Sequence, residues 1–276
     1  MKKIIVFSIL IITFYVVFIK FINDNNILDN ITENDTLSAK ENNNYLKNIS
    51  KVLTYKNSNN IFYMLKGKEY NLKPLNISDE PIIYIYNTHD KESYNNSSFT
   101  VYNASLALQN MLKEYGITSL VEDISPTDLV KKYNEDYPST YTHSKENLIN
   151  AKNKYPSLKY FIDFHRDGVS KDVSTVTING ISYAKLMFFL GMNHKDSDKN
   201  YALVKSLEEI IDKKYEGILR KTFIREDDDY NQDVSPNSFL IEVGGNYNTI
   251  NEVYNSLKVL SYAIYTFLEG NSWQKE

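Results

Sequence analysis

The chain has 276 residues, of which 42% are hydrophobic, 13% aromatic and 24% charged, a balance that supports a folded core and excludes wholesale disorder. Its 31 Lys and Arg against 35 Asp and Glu give a formal charge of −4 with no long basic cluster, which argues against a nucleic-acid partner. There is no cysteine, so disulfides, thiolate nucleophiles and Cys-based metal sites are excluded, and any metal must rest on carboxylates and the four histidines.

Residues 4–22, IIVFSILIITFYVVFIKFI, form an apolar run interrupted only by Lys20. As a helix rising about 1.5 Å per residue it would span close to the hydrocarbon thickness of a bilayer. Lys2 and Lys3 before it favour an amino terminus left in the cytoplasm, which places the remainder outside. A cleaved signal peptide is the competing reading, but the apolar run exceeds the usual core of such peptides and no small-x-small site follows. Residues 1–22 are therefore expected to be a transmembrane anchor. From Asn23 to Ser50 there are nine asparagines and no Phe, Trp or Val, so residues 23–79 read as a tether, with apolar bursts at Ile61–Leu65 and Leu72–Leu75 as a strand or packing arm.

From residue 80 to 276 the pattern is that of one α/β domain. The run IIYIYNT after Pro81 predicts a strand, Val101–Tyr115 a helix stopped at Gly116, and Ile117–Val121 a short strand. Helices follow over Pro126–Tyr133 and Ser144–Tyr155, then a strand over Leu158–Phe164. Val173–Ile178 and Ile181–Leu190 flank Asn179-Gly180, a dipeptide suited to a type I′ turn, and predict an antiparallel hairpin joining the sheet. A helix over Asp198–Tyr215, an acidic loop, a strand over Ser238–Val243 and a helix from Thr249 to Leu268 complete the domain. Strands alternating with helices imply a mostly parallel central sheet flanked by helices.

Ligands of such sheets lie beyond the carboxyl ends of the strands, so polar residues terminating apolar runs are the candidates. His89 ends the first run, His165 ends LKYFIDF, and Glu242 closes FLI. Two imidazoles and a carboxylate are the inventory of a zinc site, and Glu92, three residues after His89, completes a His₂Glu set that leaves Glu242 free as a base. Hydrogen-bonding histidines at strand ends, and a salt bridge from Glu242 to Arg166 or Arg220, are the plainer alternatives. Asp163 shares a strand face with His165 and can orient its imidazole, whereas Arg166 can hold a substrate carboxylate or pair with Asp167. His143 and His194 lie in polar surroundings and are expected at the surface. The stretch REDDDYNQD, Arg225–Asp233, lacks the spacing of a calcium loop and reads as solvated. No G-x-S-x-G, P-loop or G-x-G-x-x-G occurs, which removes the usual serine hydrolase and nucleotide-binding signatures.

NTHDKESY at 87–94, YPSLKYFIDFHRDGVSK from 155, TINGISYAKLMFFLGMNH and YNQDVSPNSFLIEVGG at 230–245 together, in this order and spacing, resemble the stage II sporulation protein P family of endospore-forming Firmicutes. The resemblance covers roughly residues 80–270, and an amino-terminal anchor with a variable tether is also a family feature. It implies an amidase-like α/β fold and a zinc-dependent peptidoglycan hydrolase related to N-acetylmuramoyl-L-alanine amidases, acting in the septal space during engulfment, with peptide cross-link cleavage as an added activity. Carried over by position, the resemblance implies His89, Glu92 and His165 as the metal ligands and Glu242 as the catalytic carboxylate, acting as base. In the related amidases the middle carboxylate comes after a longer loop, which makes Glu122 the reserve candidate. Lys145 stands where the family pattern leads one to expect Arg, which bears on a peripheral substrate contact. The implied partners are a membrane-bound lytic transglycosylase and a polytopic membrane protein; a non-catalytic wall-binding scaffold is the alternative class.

Overall fold

The computed structural model describes residues 61–65 and 68–272; the expected anchor and residues 23–60 of the expected tether lie outside the described residues. Among the described residues no helix is long and apolar enough to cross a membrane. A hairpin of β1 (Ile61–Leu65) and β2 (Lys68–Leu72) precedes the main body.

The central sheet has six strands in the order β4-β3-β5-β10-β8-β9. These are β3 (Ile83–Tyr86), β4 (Ser119–Val121), β5 (Tyr160–Asp167), β8 (Leu186–Gly191), β9 (Phe223–Arg225) and β10 (Ser238–Gly245). The first four in spatial order run parallel; β8 is antiparallel to β10 and carries β9 parallel to itself. The fold is thus mixed α/β with a mostly parallel sheet. Its helices are α1 (Val101–Glu114), α2 (Pro126–Tyr133), α3 (Thr140–Lys154), the single turn α4 (Lys171–Ser174), α5 (Ser197–Asp212) and α6 (Ile250–Ser272).

Why the sheet is sandwiched follows from β3, whose four residues are all buried, as a strand covered on both faces requires. Tyr84 and Tyr86 point one way, into a cluster with Leu148 and Ala151 of α3 and Phe161 of β5. Ile83 and Ile85 alternate to the opposite face. Helix α6 packs against both α1 and α5, and α2 packs with α3.

Four expectations are corrected. The Asn179-Gly180 turn forms with both residues at positive φ, 52° and 77°, but its strands β6 (Thr175–Ile178) and β7 (Ile181–Ala184) make a separate two-stranded sheet. The run Ile181–Leu190 breaks at Lys185, and only its second half, β8, enters the central sheet. β9 arises inside the segment read as loop, because Phe189 and Phe223 stack at 4.7 Å across a parallel pairing. His143 is buried rather than at the surface, its Nε2 2.5 Å from Glu135 Oε2.

Candidate metal and hydrolytic site

His89 sits in a turn just beyond β3, held by the two residues before it. Asn87 donates to the Phe164 carbonyl at 2.7 Å, tying the end of β3 to β5. The Thr88 N–H and hydroxyl both donate to Asp163, at 3.0 and 2.7 Å. Asp163 is fully buried and pairs in register with Tyr86, so the chain leaving β3 is fixed against the strand that carries His165. The Glu92 N–H closes the turn on the His89 carbonyl at 3.0 Å, and Glu92 Oε2 accepts the Arg166 N–H at 3.1 Å.

His165 lies inside β5 rather than at its end, because β5 runs on to Asp167. Glu242 likewise lies within β10, directly opposite His165 in the parallel register, and the ladder slips between Glu242 and Gly245. The sheet therefore sets these two side chains side by side, while the turn after β3 brings His89 and Glu92 to the same edge. The rings of His89 and His165 meet edge to face with centroids 5.2 Å apart. His165 Nδ1 is 3.8 Å from Glu92 Oε2. Its Nε2 is 2.8 Å from Asp163 Oδ1, an ion-pair distance at an angle outside hydrogen-bond geometry. Glu242 Oε2 is buried without a partner.

The electrostatics are those of an acid-rich pocket. Burial lowers the His89 imidazole to about 4, with His165 adding to the effect. Burial also works against a charged His165, but Asp163, Glu242 and Glu92 outweigh it and raise the ring to about 9. Burial raises Glu92, and raises Glu242 to about 8 despite the nearby His165.

The other sequence-predicted residues divide. Asp163 contacts His165 as expected. The Arg166 side chain donates to the carbonyls of Ser93, at 3.0 Å, and Asp167, so it braces the loop after β3. Arg220 pairs with Asp167 at 2.6 Å and not with Glu242. Glu122 accepts from the Tyr84 hydroxyl and from the Ile124 N–H at 2.8 Å. Lys145 pairs with Asp233 at 2.8 Å. The acidic loop is partly buried: Gln232 accepts from Gly191 N–H at 3.2 Å and donates to the Phe189 carbonyl at 2.9 Å, holding β8.

Sequence reasoning missed three residues around His89. Tyr137, in a 3₁₀ turn over Tyr137–Ser139, stacks on its ring at 4.8 Å, and Tyr141 meets it edge-on at 5.5 Å. The Thr140 hydroxyl lies 3.3 Å from His89 Nδ1. No residue pattern flags them; only the docking of α3 against β3 brings them there.

As the side chains stand, no three His, Asp or Glu residues among those described are grouped to hold a metal. The donor set and its placement nevertheless fit one. Two imidazoles on a tetrahedral zinc, each nitrogen about 2.0–2.1 Å from the metal, have centroids about 5 Å apart. The observed separation of 5.2 Å matches that figure, Glu92 is adjacent, and the unpartnered carboxylate oxygen of Glu242 belongs to the neighbouring strand, opposite His165.

The chain belongs to the stage II sporulation protein P family, whose profile matches residues 15–265. It is 30% identical over 195 residues to stage II sporulation protein P of Bacillus subtilis (strain 168), in an alignment covering 63% of this chain and 48% of that protein; the match thus spans about half the length of that relative. Among solved structures, the CwlD amidase of Clostridioides difficile in complex with the GerS lipoprotein aligns with a TM-score of 0.43 and 18% identity, over 68% of this chain and 97% of that one. An N-acetylmuramoyl-L-alanine amidase of Clostridium difficile 630 aligns at 0.43 and 16%, over 72% and 100%. AmiC2 of Nostoc punctiforme aligns at 0.42 and 12%, over 68% and 97%.

Proposed function

We propose that the protein is a zinc-dependent peptidoglycan hydrolase of sporulation. It cuts the amide between N-acetylmuramic acid and the L-alanine of the stem peptide, with cross-link cleavage as a further activity. Family membership supports the sporulation role and the wall substrate. The observation that carries the chemistry is the buried, unpartnered Glu242 oxygen beside two histidines and Glu92. Carboxylates at Glu92, Asp163, Asp167 and Glu242 all act on one another or on His165, so the pocket favours a divalent cation.

His89, Glu92 and His165 would hold the metal. Zinc, when bound, acidifies a water toward neutrality and polarises the substrate carbonyl. Glu242 takes the proton from the attacking water as the carbon–oxygen bond forms, and returns it to the amine as the carbon–nitrogen bond breaks. Asp163 keeps the His165 ring in place, and Arg166 keeps the loop bearing Glu92 in place. The proposed setting is a chain anchored by residues 1–22 with its catalytic domain outside the cytoplasm, working beside a membrane-bound lytic transglycosylase and a polytopic membrane protein.

The test compares the full chain with His89→Ala and His165→Ala for zinc by elemental analysis and for release of new amino groups and stem peptides from purified peptidoglycan. Zinc at about one per wild-type chain, lost together with release in both variants, is the expected result. A wild-type chain that takes up no zinc after repletion and releases nothing would leave a wall-binding scaffold.

A further inference from the structure

Three residues of the turn that opens α3 converge on His89, and one of them, Thr140, has a second partner that bears on how it meets the ring. Thr140 is fully buried, and its hydroxyl donates its one proton to the Tyr137 carbonyl at 2.9 Å. The same oxygen is 3.3 Å from His89 Nδ1. A hydroxyl has one proton and two lone pairs, and a neutral imidazole has one N–H and one bare nitrogen. With its proton directed to Tyr137, the Thr140 oxygen is left as an acceptor toward the ring, an arrangement that matches an imidazole proton on Nδ1. Tyr137, stacked within 14° of parallel, and Tyr141, at 89°, hold the ring plane from two sides.

We propose that Thr140 is a positioning residue that fixes His89 in the Nδ1–H tautomer and so presents Nε2 as the bare nitrogen. The tautomer stands on the hydrogen-bond geometry alone; its use in metal capture rests on the zinc reading above. A histidine that binds through one nitrogen commonly has the other anchored by an acceptor, and loss of such an anchor lowers metal affinity about 10–100-fold.

The experiment uses full chains carrying ¹⁵N-labelled histidine and stripped of metal, with His89 signals assigned by their disappearance in His89→Gln. Long-range proton–nitrogen spectra read which nitrogen carries the proton. Wild type and Thr140→Ser should show a protonated Nδ1 and a bare Nε2. Thr140→Val, of the same shape without the hydroxyl, should show a tautomer mixture or a protonated Nε2, and its zinc affinity should fall about 10–100-fold while Thr140→Ser stays near wild type. A wild-type His89 with its proton on Nε2, or a folded Thr140→Val with wild-type nitrogen shifts, overturns the proposal. If Thr140→Val does not fold, the wild-type and Thr140→Ser spectra still decide it. A wild type that binds no zinc yet shows the Nδ1–H tautomer removes the metal reading and supports this one.

Discussion

Glu242 and His165 sit opposite each other on two parallel strands, and their surroundings differ. His165 has Asp163 at 2.8 Å, whereas the Glu242 Oε2 has nothing. Glu242→Gln keeps the shape and removes the proton-accepting oxygen, so zinc content should be unchanged while peptidoglycan hydrolysis falls about 10²–10⁴-fold, the usual contribution of a general base. A Gln variant with wild-type turnover would remove Glu242 from the mechanism. Asp163→Ala acts differently. It strips the counter-charge from the buried His165 and the acceptor from the Thr88 N–H and hydroxyl, and should cost about 3–5 kcal/mol in urea unfolding of the metal-free chain. At this scale His89, His165 and Glu242 were legible because a polar group ending an apolar run is conspicuous. Thr140 was not, since its partner is 51 positions away and nothing in the local sequence couples a threonine to a distant imidazole. His143 was misread because a polar neighbourhood in sequence gave no warning of Glu135 folding back on it.

The elements around the site are set by two local devices. After Glu242 the ladder of β10 slips, and Gly244 takes φ +71° with its N–H on the Lys185 carbonyl at 2.8 Å. A Cβ there would stand 2.5 Å from Asn248 Oδ1 and 2.7 Å from Ala184 Cβ. Gly244→Ala combines a left-handed backbone with overpacking and should lose about 2–5 kcal/mol in thermal unfolding. The second device starts α6: Thr249 and Glu252 form a reciprocal capping box, with the Thr249 N–H donating to Glu252 Oε2 at 2.8 Å and the Glu252 N–H to Thr249 Oγ1 at 3.3 Å. Burial works to raise the Glu252 carboxyl, but the hydrogen bonds from Thr249, Asn248 and Ser182, with Lys171 nearby, hold it below its ordinary value. A depressed folded carboxyl contributes stability above the unfolded value of about 4.3, and that contribution disappears as pH falls through the lower folded one. The stability gap between wild type and Glu252→Gln should accordingly be constant near neutrality and narrow below about pH 4.3; a gap that widens on acidification would contradict the assignment. The start of α6 was legible from Thr249 and its helical spacing. The fate of the hairpin at Asn179-Gly180 was not, because turn chemistry sets a pairing between two strands and says nothing of which sheet they join. β9 escaped notice because three residues carry too little pattern to register.

At the scale of the whole molecule, two buried tyrosines among the described residues, Tyr94 and Tyr265, join parts of the chain far apart in sequence. The fourteen residues 87–100 separate β3 from α1, and that mostly polar loop carries His89 and Glu92. It is tied down at its far side by Tyr94, which is fully buried and donates to the Val243 carbonyl at 3.0 Å across 149 positions. Asn95 N–H reinforces the tie by donating to the Asn246 carbonyl at 2.7 Å. Tyr265 does the same for the amino-terminal approach, donating to the Lys73 carbonyl at 3.0 Å across 192 positions. A phenol suits this work because its ring fills core volume while its hydroxyl satisfies one carbonyl that a strand cannot. Tyr94→Phe removes only the hydroxyl and should cost about 1–2 kcal/mol in global stability. The loop should respond more locally than the core: in hydrogen exchange, amides of residues 92–99 and 243–246 should lose protection while those of β3 and β5 change by no more than the global loss. Equal loss of protection everywhere would mean that Tyr94 merely fills space. Selective loosening would mean that the loop bearing two of the proposed ligands owes its position to a hydrogen bond from the opposite end of the chain.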